Sequence, residues 1–549
     1  MTIINRMLVA VFLVAAILPP LFNASWDLWA LSVIHLLTII AVTLYYFSLL
    51  RGSSGAGFKS WTGAGYFLLY LLFCLLSYFF SQNRFNSRNE LFNQFNYFLL
   101  FFLALNLLDS DKRRLYFREG VVAIAVMVSL IAIWQGLHQH AAVGTMLNTN
   151  ILSGYLVLII PLALISFLEG RRLWRAVMLA VLLAALLFSR SVGGWLAVFI
   201  GCAILAALIS RTEKDSQQKN NKTLYAGIIL FAAVMVFFLV RKIHEPGVTD
   251  RVNWWWSAVK MIKDHPLAGV GIGNFGSSFL HYKTGKMNTI YAHDHYLQMW
   301  AEIGFLGFLC LLGVIYSYLR ISIGNLADLD RSRRYFTMGA ISGIFSLLAY
   351  SIIDYTMAIP AAAITFWILM GASYPPAGVR SRTFRTTRPL TAVFLIVILL
   401  AAIAVIKPFL ASQKYVNGIA FLQNGDLLSA EEELQASIRL DPLNSFTYGF
   451  LSDVYRKEHL WQKSIDSLRE AIRLDPDYGP FHQNLALVYE DRGDIDLAIK
   501  EARLAINCHP QKALYHYTLG LLYEQAGNHQ AARLEQEKYQ EMEKDVGLY

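Results

Sequence analysis

The chain has 549 residues, a formal net charge of +9, 56% hydrophobic residues and only 15% charged ones, where a soluble globular chain carries about 25% charged. That apolar excess excludes a wholly soluble fold. The surplus positive charge sits in short loops between apolar segments, which points to a membrane and away from nucleic acid.

Residues 1–410 hold nearly all of the apolar content. At about 20 apolar residues per crossing, spans are predicted near 7–22, 27–50, 62–80, 92–108, 119–138, 149–168, 173–188, 191–210, 223–241, 297–319, 335–354, 358–374 and 389–411, about 13 in all. The run from Met7 to Leu21 is followed at once by another apolar run and shows no small-residue cleavage pattern, so it reads as a first span and not a signal peptide. Cys74, Cys202, Cys310 and Cys508 show no CxxC spacing, so neither a disulfide framework nor a zinc site is expected.

Loop charge gives the orientation. Alternate loops carry Arg51/Lys59, Lys112/Arg113/Arg114/Arg118, Arg171/Arg172/Arg175, Arg211/Lys214/Lys219/Lys222, Arg320/Arg331/Arg333/Arg334 and Arg380/Arg382/Arg385/Arg388, whereas the loops between them hold only Arg84, Arg88 and Arg190. The positive-inside rule puts the first set in the cytoplasm. The N-terminus is then cytoplasmic, and the long segment 242–296 lies outside. With an odd number of spans the tail lies outside too.

The outer segments carry the candidate chemistry. Asn148-Thr-Asn150 precedes span six, and Asn150 reads either as a ligand for sugar hydroxyls or as a helix N-cap. Arg190, in Ser189-Arg-Ser-Val-Gly-Gly-Trp195, is a lone arginine in a short apolar loop, which is expensive unless it meets an anion. In segment 242–296, Arg251 opens a helix whose N-terminal dipole favours anions, and a guanidinium fork there suits phosphate. Trp254, Trp255, Trp256, Lys260 and Lys263 follow at spacings that suit a helix at the headgroup interface, the tryptophans serving as an anchor belt. Gly271 to Gly276 matches GxGxxG without the strand, helix and acid of a nucleotide fold, and reads as a turn back to the membrane. His293-Asp294-His295 opens the next span. Two histidines at this spacing lack a third ligand, so a general base is favoured over a metal site. Asp354, after span eleven, reads as a cap or as a partner for an arginine, and His138 and His140 as surface residues.

Residues 411–549 have ordinary soluble composition. Asp441-Pro442, Asp475-Pro476 and His509-Pro510 recur every 34 residues, and Leu485, Ala486, Tyr489, Ala498 and Ala505 fill the small and aromatic positions between them. Period and pattern resemble a tetratricopeptide array of about four repeats, a solenoid with a concave face for a protein partner. A passive cap or dimerisation module is the alternative.

In the order "SRSVGGW", "DRVNWWWSAVKMIKDHPLAGVGIGNF", "AHDHYLQMWAEIGFLG", the body resembles the O-antigen ligase superfamily over roughly 140–375. That group includes lipopolysaccharide O-antigen ligases, PglL-type protein O-oligosaccharyltransferases and Wzy-like polymerases. The resemblance implies an all-α, GT-C-like bundle of about 12–13 spans with a large periplasmic loop, residues 1–410, followed by the repeat solenoid. It implies metal-independent, inverting transfer of a glycan from an undecaprenyl-pyrophosphate donor at the outer face of a bacterial inner membrane, with no cofactor. The acceptor would be lipid A core, a protein or a polysaccharide. Arg190 and Arg251 would bind the pyrophosphate, and His293 would be the base for the acceptor hydroxyl. Asn150, Asp294, His295 and Lys260 are the further substrate-binding candidates. Asp294 stands where the family usually has Asn, which leaves open that it tunes His293 or that His295 shares the role. The competing readings are a Wzy-like polymerase on the same body and a non-enzymatic scaffold or transporter with a repeat dock.

Overall fold

The computed structural model describes residues 3–25, 27–51, 57–139, 141–212, 246–285, 287–383 and 387–546. Eight helices open the chain: α1 (Ile3–Ile17), α2 (Leu28–Arg51), α3 (Ala64–Phe80), α4 (Arg84–Leu107), α5 (Asp111–His138), α6 (Thr149–Gly170), α7 (Leu173–Phe188) and α8 (Val192–Thr212). Then come α9 (Pro246–Asp264) and α10 (Phe275–Tyr282), followed by α11 (His295–Gly324), α12 (Arg331–Tyr350), α13 (Pro360–Ser373) and α14 (Arg388–Gln423). Six helices are long and apolar enough to cross a membrane, and α1, α3, α7 and α13 are shorter apolar helices. Every predicted span has its helix except 223–241, which lies outside the described residues. The first helix ends at Ile17, short of the expected residue 22, because Pro19-Pro20 forms a separate 3-10 turn that cannot continue it.

The core of the bundle is α6, α12 and α13, whose residues are almost all buried. Small residues let these helices close on one another, as membrane helices require where no solvent drives them together. A Cβ on Gly343 would stand 2.2 Å from the Leu158 carbonyl oxygen, and one on Gly201 1.9 Å from Ser346 Oγ. No residue in the hydrophobic stretch of α14 is fully buried, the condition of a helix that packs on one side and faces lipid on the others.

The two ends of the bundle differ chemically. At one end Arg118 pairs with Glu169 (2.7 Å) and Arg175 with Glu119 (3.0 Å). A two-stranded antiparallel ribbon lies there, β1 (Gly57–Trp61) on β2 (Val379–Thr383), with Lys59 opposite Ser381. This ribbon is the one departure from an all-helical architecture among the described residues. The other end carries α9, α10 and the loops around residues 81–83, 189–191, 291–294 and 351–359. There Asn274 Nδ2 donates to Ser81 Oγ (2.5 Å) and the His295 amide to the Ser351 carbonyl (2.9 Å).

The glycine-rich turn before α10 is pinned to that end. Gly269, Gly271 and Gly273 have positive φ, and the Glu302 carboxylate accepts from the Gly273 amide at 2.7 Å. Gly304 breaks α11 at φ 72°, where a Cβ would lie 1.9 Å from the Leu267 carbonyl oxygen. Only glycine tolerates both the angle and the approach.

The tail forms four helix pairs. The end of α14 pairs with α15 (Leu427–Leu440), α16 (Ser445–Lys457) with α17 (Trp461–Leu474), α18 (Gly479–Arg492) with α19 (Ile495–Cys508), and α20 (Ala513–Gln525) with α21 (His529–Val546). The residues before the recurrent prolines share one backbone shape: φ/ψ is −140/87° at Asp441, −145/80° at Asp475 and −145/79° at His509. A following proline disfavours the helical region and ends each repeat there. The boundary expected at residue 410 falls inside α14, which runs from Arg388 to Gln423 and joins membrane stretch to repeats as one 36-residue helix.

The array folds back onto the end of the bundle that holds α9 and α10. Arg88, in the second turn of α4, grips Asp441 with both terminal nitrogens (2.5 and 2.7 Å), and Asn83 Nδ2 donates to Asp475 Oδ2 (2.7 Å).

Candidate functional site

His293 sits in the loop between α10 and α11 with φ 53°, a conformation uncommon for a non-glycine residue and one that clusters at functional sites. Its ring is clamped between two aromatics. Trp254 stacks on it at 4.5 Å between centroids, and Tyr355 meets it edge-on at 4.6 Å. Trp255 Nε1 donates to the His293 carbonyl oxygen (3.4 Å). Nδ1 is buried with no hydrogen-bond partner, so Nε2 is the nitrogen left accessible. Burial, and then the charge of Arg251, push its pKa down to about 3. At neutral pH the imidazole is therefore uncharged and able to take a proton.

Arg251 projects from the second turn of α9. Its charge acts on His293, Asp354 and Tyr350, so all three lie within electrostatic reach of one guanidinium. Asp354 is 1% exposed. One carboxylate oxygen accepts from the Thr356 amide (2.9 Å) and hydroxyl, and the other has no hydrogen-bond partner. Burial lifts its pKa to about 6 against the opposing pull of Thr356 and Arg251. Of the two roles open to it in the sequence, Asp354 fills the cap, accepting from Thr356 at the 356–358 turn, and among the described residues makes no ion pair with an arginine.

Arg190 is exposed in the turn between α7 and α8, also in the left-handed region (φ 55°). The turn is tied to the same centre. Ser189 Oγ bonds Ser153 Oγ (2.9 Å), Ser191 Oγ lies 3.3 Å from Tyr350 OH, and Tyr350 OH donates to the Asn150 carbonyl oxygen (3.1 Å). Among the described residues neither the Arg190 nor the Arg251 guanidinium makes an ion pair or hydrogen bond. The unpaired Arg251 guanidinium and the neutral imidazole near it form a site that can hold an anion and accept a proton next to it, and the Arg190 turn joins that site through Ser191 and Tyr350.

The remaining candidates divide. The Asp294 carboxylate caps α11, accepting from the Tyr296 and Leu297 amides (2.9 Å each). It neither orients the His293 ring nor raises its pKa, because both backbone donors draw it the other way. His295 is buried, with its backbone tied to Ser351. Asn150 contributes its backbone carbonyl, and the N-cap of α6 is Asn148, whose Nδ2 also donates to Tyr355 OH (3.0 Å). Lys260 is exposed nine residues after Arg251, about 180° around the helix at 3.6 residues per turn, and faces away from the site. The tryptophans are not a simple belt. Trp254 and Trp255 hold His293, and only Trp256, 59% exposed, faces outward. His138 is exposed and stacks on Trp134, while His140 lies outside the described residues. Tyr355 went unnoticed in the sequence, since nothing local distinguishes it from other boundary tyrosines.

Residues 140–312 match the family model described as O-antigen ligase, and residues 483–542 match a tetratricopeptide-repeat model. No curated protein matches the chain. Among solved structures, a crystal structure of MamA is 24% identical, covering 30% of this chain and 100% of that one with a TM-score of 0.25. A second MamA crystal structure is 26% identical (29% and 88% covered, TM-score 0.25), and MamA 41-end from Desulfovibrio magneticus RS-1 is 20% identical (29% and 88%, TM-score 0.24). Likenesses at such TM-scores decide nothing further about the chain. Arg190, Arg251 and His293 all fall within the ligase match, so the chain is a multi-pass membrane protein whose residues 140–312 match the O-antigen ligase family and whose tail is a tetratricopeptide array.

Proposed function

We propose that the protein transfers an oligosaccharide or polysaccharide from an undecaprenyl-pyrophosphate donor to an acceptor hydroxyl at the periplasmic face of a bacterial inner membrane. The observation that carries this reading is the pairing of a clamped, neutral His293 with the unpaired charge of Arg251. Pyrophosphate is a good leaving group once its charge is held, and Arg190 and Arg251 supply that without a metal. The acceptor oxygen attacks the anomeric carbon from the face opposite the pyrophosphate, giving inversion. The bond from that carbon to the pyrophosphate oxygen breaks, the electron pair leaves with undecaprenyl pyrophosphate, and the acceptor proton passes to His293 Nε2. As the donor's negative charge settles beside Arg251 it offsets the field on His293, which raises the imidazole's basicity when a proton must be taken.

The test is reconstitution in proteoliposomes with a lipid-pyrophosphate glycan and candidate acceptors, comparing wild type with Arg190→Ala, Arg251→Ala and His293→Ala. Loss of transfer by a factor of about 100 or more in each is expected, the scale of a removed base or charge clamp. Full transfer by all three variants would overturn the mechanism. A ladder of lengthening glycans formed without any second acceptor would assign the chemistry to a polymerase.

A further inference from the structure

Beside the arginine–histidine centre lies a cavity of about 550 Å³, within the range of small-molecule sites (about 300–1,000 Å³). One wall is a stripe on α4. Asn86, Asn89, Glu90, Asn93, Gln94 and Tyr97 line it at i, i+3, i+4, i+7, i+8 and i+11, one face of a helix. Glu90 accepts from Asn93 Nδ2 (3.0 Å) and Gln94 Nε2 (2.5 Å), which orients both amides, and Asn86 is held by Ser277 (2.9 Å). Asn93 is 6% exposed, and its Oδ1 has no partner at full hydrogen-bonding distance, the His35 ring standing next to it. A second carboxylate, the buried Glu302, faces the cavity from α11. Aromatic rings of Tyr291 and Trp367 complete the membrane side. The roof belongs to the repeats: Phe446, Asp475 and Tyr478 line it, with Phe446 and Tyr478 packed edge-on at 5.1 Å.

We propose that this cavity is a carbohydrate-binding site shared between the membrane body and the repeat array, which holds the sugar chain of one reactant. The lining contains no lysine or arginine, so a pyrophosphate has no counter-charge there. Carboxylates and side-chain amides suit a ligand with many hydroxyl donors, and aromatic faces suit the C–H surfaces of sugar rings. An acyl chain would bring no hydrogen-bonding group to this polar stripe, whereas a sugar would. Tyr291 and His295 line the cavity on either side of His293, and Tyr291 stacks on Tyr355 at 4.2 Å, the same Tyr355 that meets the His293 ring. A glycan in the cavity therefore ends beside the reacting centre. On this account the array is part of a sugar site. The assignment of the ligand to a reactant rests on the transfer reading above, whereas sugar binding does not.

The experiment uses the full-length protein in lipid nanodiscs. The probe is the oligosaccharide released by mild acid from the producing cells' polyprenyl-pyrophosphate pool, followed by saturation-transfer NMR. Dodecyl phosphate is tested in parallel. Saturation of sugar protons is expected in wild type and in Arg251→Ala, with binding about tenfold weaker in Asn89→Leu and in Tyr478→Ala, the loss of one hydrogen bond or one stacked ring. A native-like melting transition of each variant checks that it is folded. Sugar binding that survives both cavity substitutions, or is lost only with Arg251→Ala, would overturn the proposal. So would binding of dodecyl phosphate alone, or of neither probe. Oligosaccharide binding by this pattern in a protein that transfers nothing would keep the cavity assignment and sink the transferase reading.

Discussion

Trp254 lies flat against His293, ring centroids 4.5 Å apart and planes 28° apart. The stack fixes the imidazole from α9, the same helix that carries Arg251, so one helix holds both the proposed base and the proposed anion-binding charge. Trp254→Ala should lower the rate of glycan transfer by about 3–10-fold, the worth of an aromatic pair, with KM for the donor little changed. Trp254→Phe should recover most of it. An equal loss in both variants, or a loss confined to KM, would mean that the ring does not position the base.

His293 should remain an effective base at acid pH. An ordinary imidazole titrates near 6.5 and would be about 90% protonated at pH 5.5. With its pKa near 3, His293 is still neutral there. The direction matters: burial and Arg251 both disfavour the charged form, so the neutral form persists as pH falls. Carbethoxylation by diethyl pyrocarbonate, which needs the neutral ring, should proceed at His293 at pH 5.5 at a rate close to that at pH 7 when followed by mass spectrometry. A drop of about tenfold would return the ring to the ordinary range.

Docking of the array should weaken as pH rises. Burial lifts Asp475 to about 7, with Asn83 opposing and Asp477 adding to the rise. A carboxyl whose folded pKa exceeds its unfolded value stabilises the docked state fully below pH about 3.9, and that stabilisation is lost as pH rises through about 7. Thermal unfolding of the repeats in the full-length protein should therefore shift downward between pH 5 and 8, and Asp475→Asn should flatten the dependence. An unchanged slope in that variant would move the cause elsewhere.

Much of this architecture is readable from the sequence because long apolar runs and a 34-residue period are strong, local signals. Arg190 stands out as a lone charge in a short apolar loop, Arg251 as an arginine at a helix start, and His293 as one of two histidines opening a span. What escaped was non-local. The stack of Trp254 on His293 joins residues 39 apart in sequence, and Asp354 feels the charge of Arg251 from another helix end. The polar face of α4 did show helical spacing, but its first half reads as a loop ahead of a span at 92–108, and only burial under the repeats makes sense of it. Nor does the Asp-Pro signature disclose that two of its aspartates face outward to grip α4.

Arg88 and Asp441 should be the main clamp between body and tail. The pair is bidentate and largely buried, with side chains 14% and 3% exposed. Removing one partner of such a pair strands the other charge, at about 3–5 kcal/mol. Arg88→Met or Asp441→Leu alone should each release the array to limited proteolysis, while the double variant, which leaves no stranded charge, should be less sensitive than either. Additive single effects would show that the two residues do not act together.

A periplasmic tail is predicted from two independent observations. On the positive-inside rule the arginine-rich end of the bundle is expected in the cytoplasm, and the array docks on the opposite end through Asn83 and Arg88. Continuous α14 allows no other arrangement, since its membrane stretch begins at the ribbon end, where Thr391 Oγ1 bonds Tyr46 OH (2.9 Å), and its last turns enter the first repeat. An alkaline-phosphatase reporter after Tyr549 should therefore be active, and a fluorescent protein that folds only in the cytoplasm should be dark there. The reverse result would place Arg190, Arg251 and His293 on the cytoplasmic side as well, because tail and site share one end of the bundle, and a periplasmic transfer reaction would be ruled out with them.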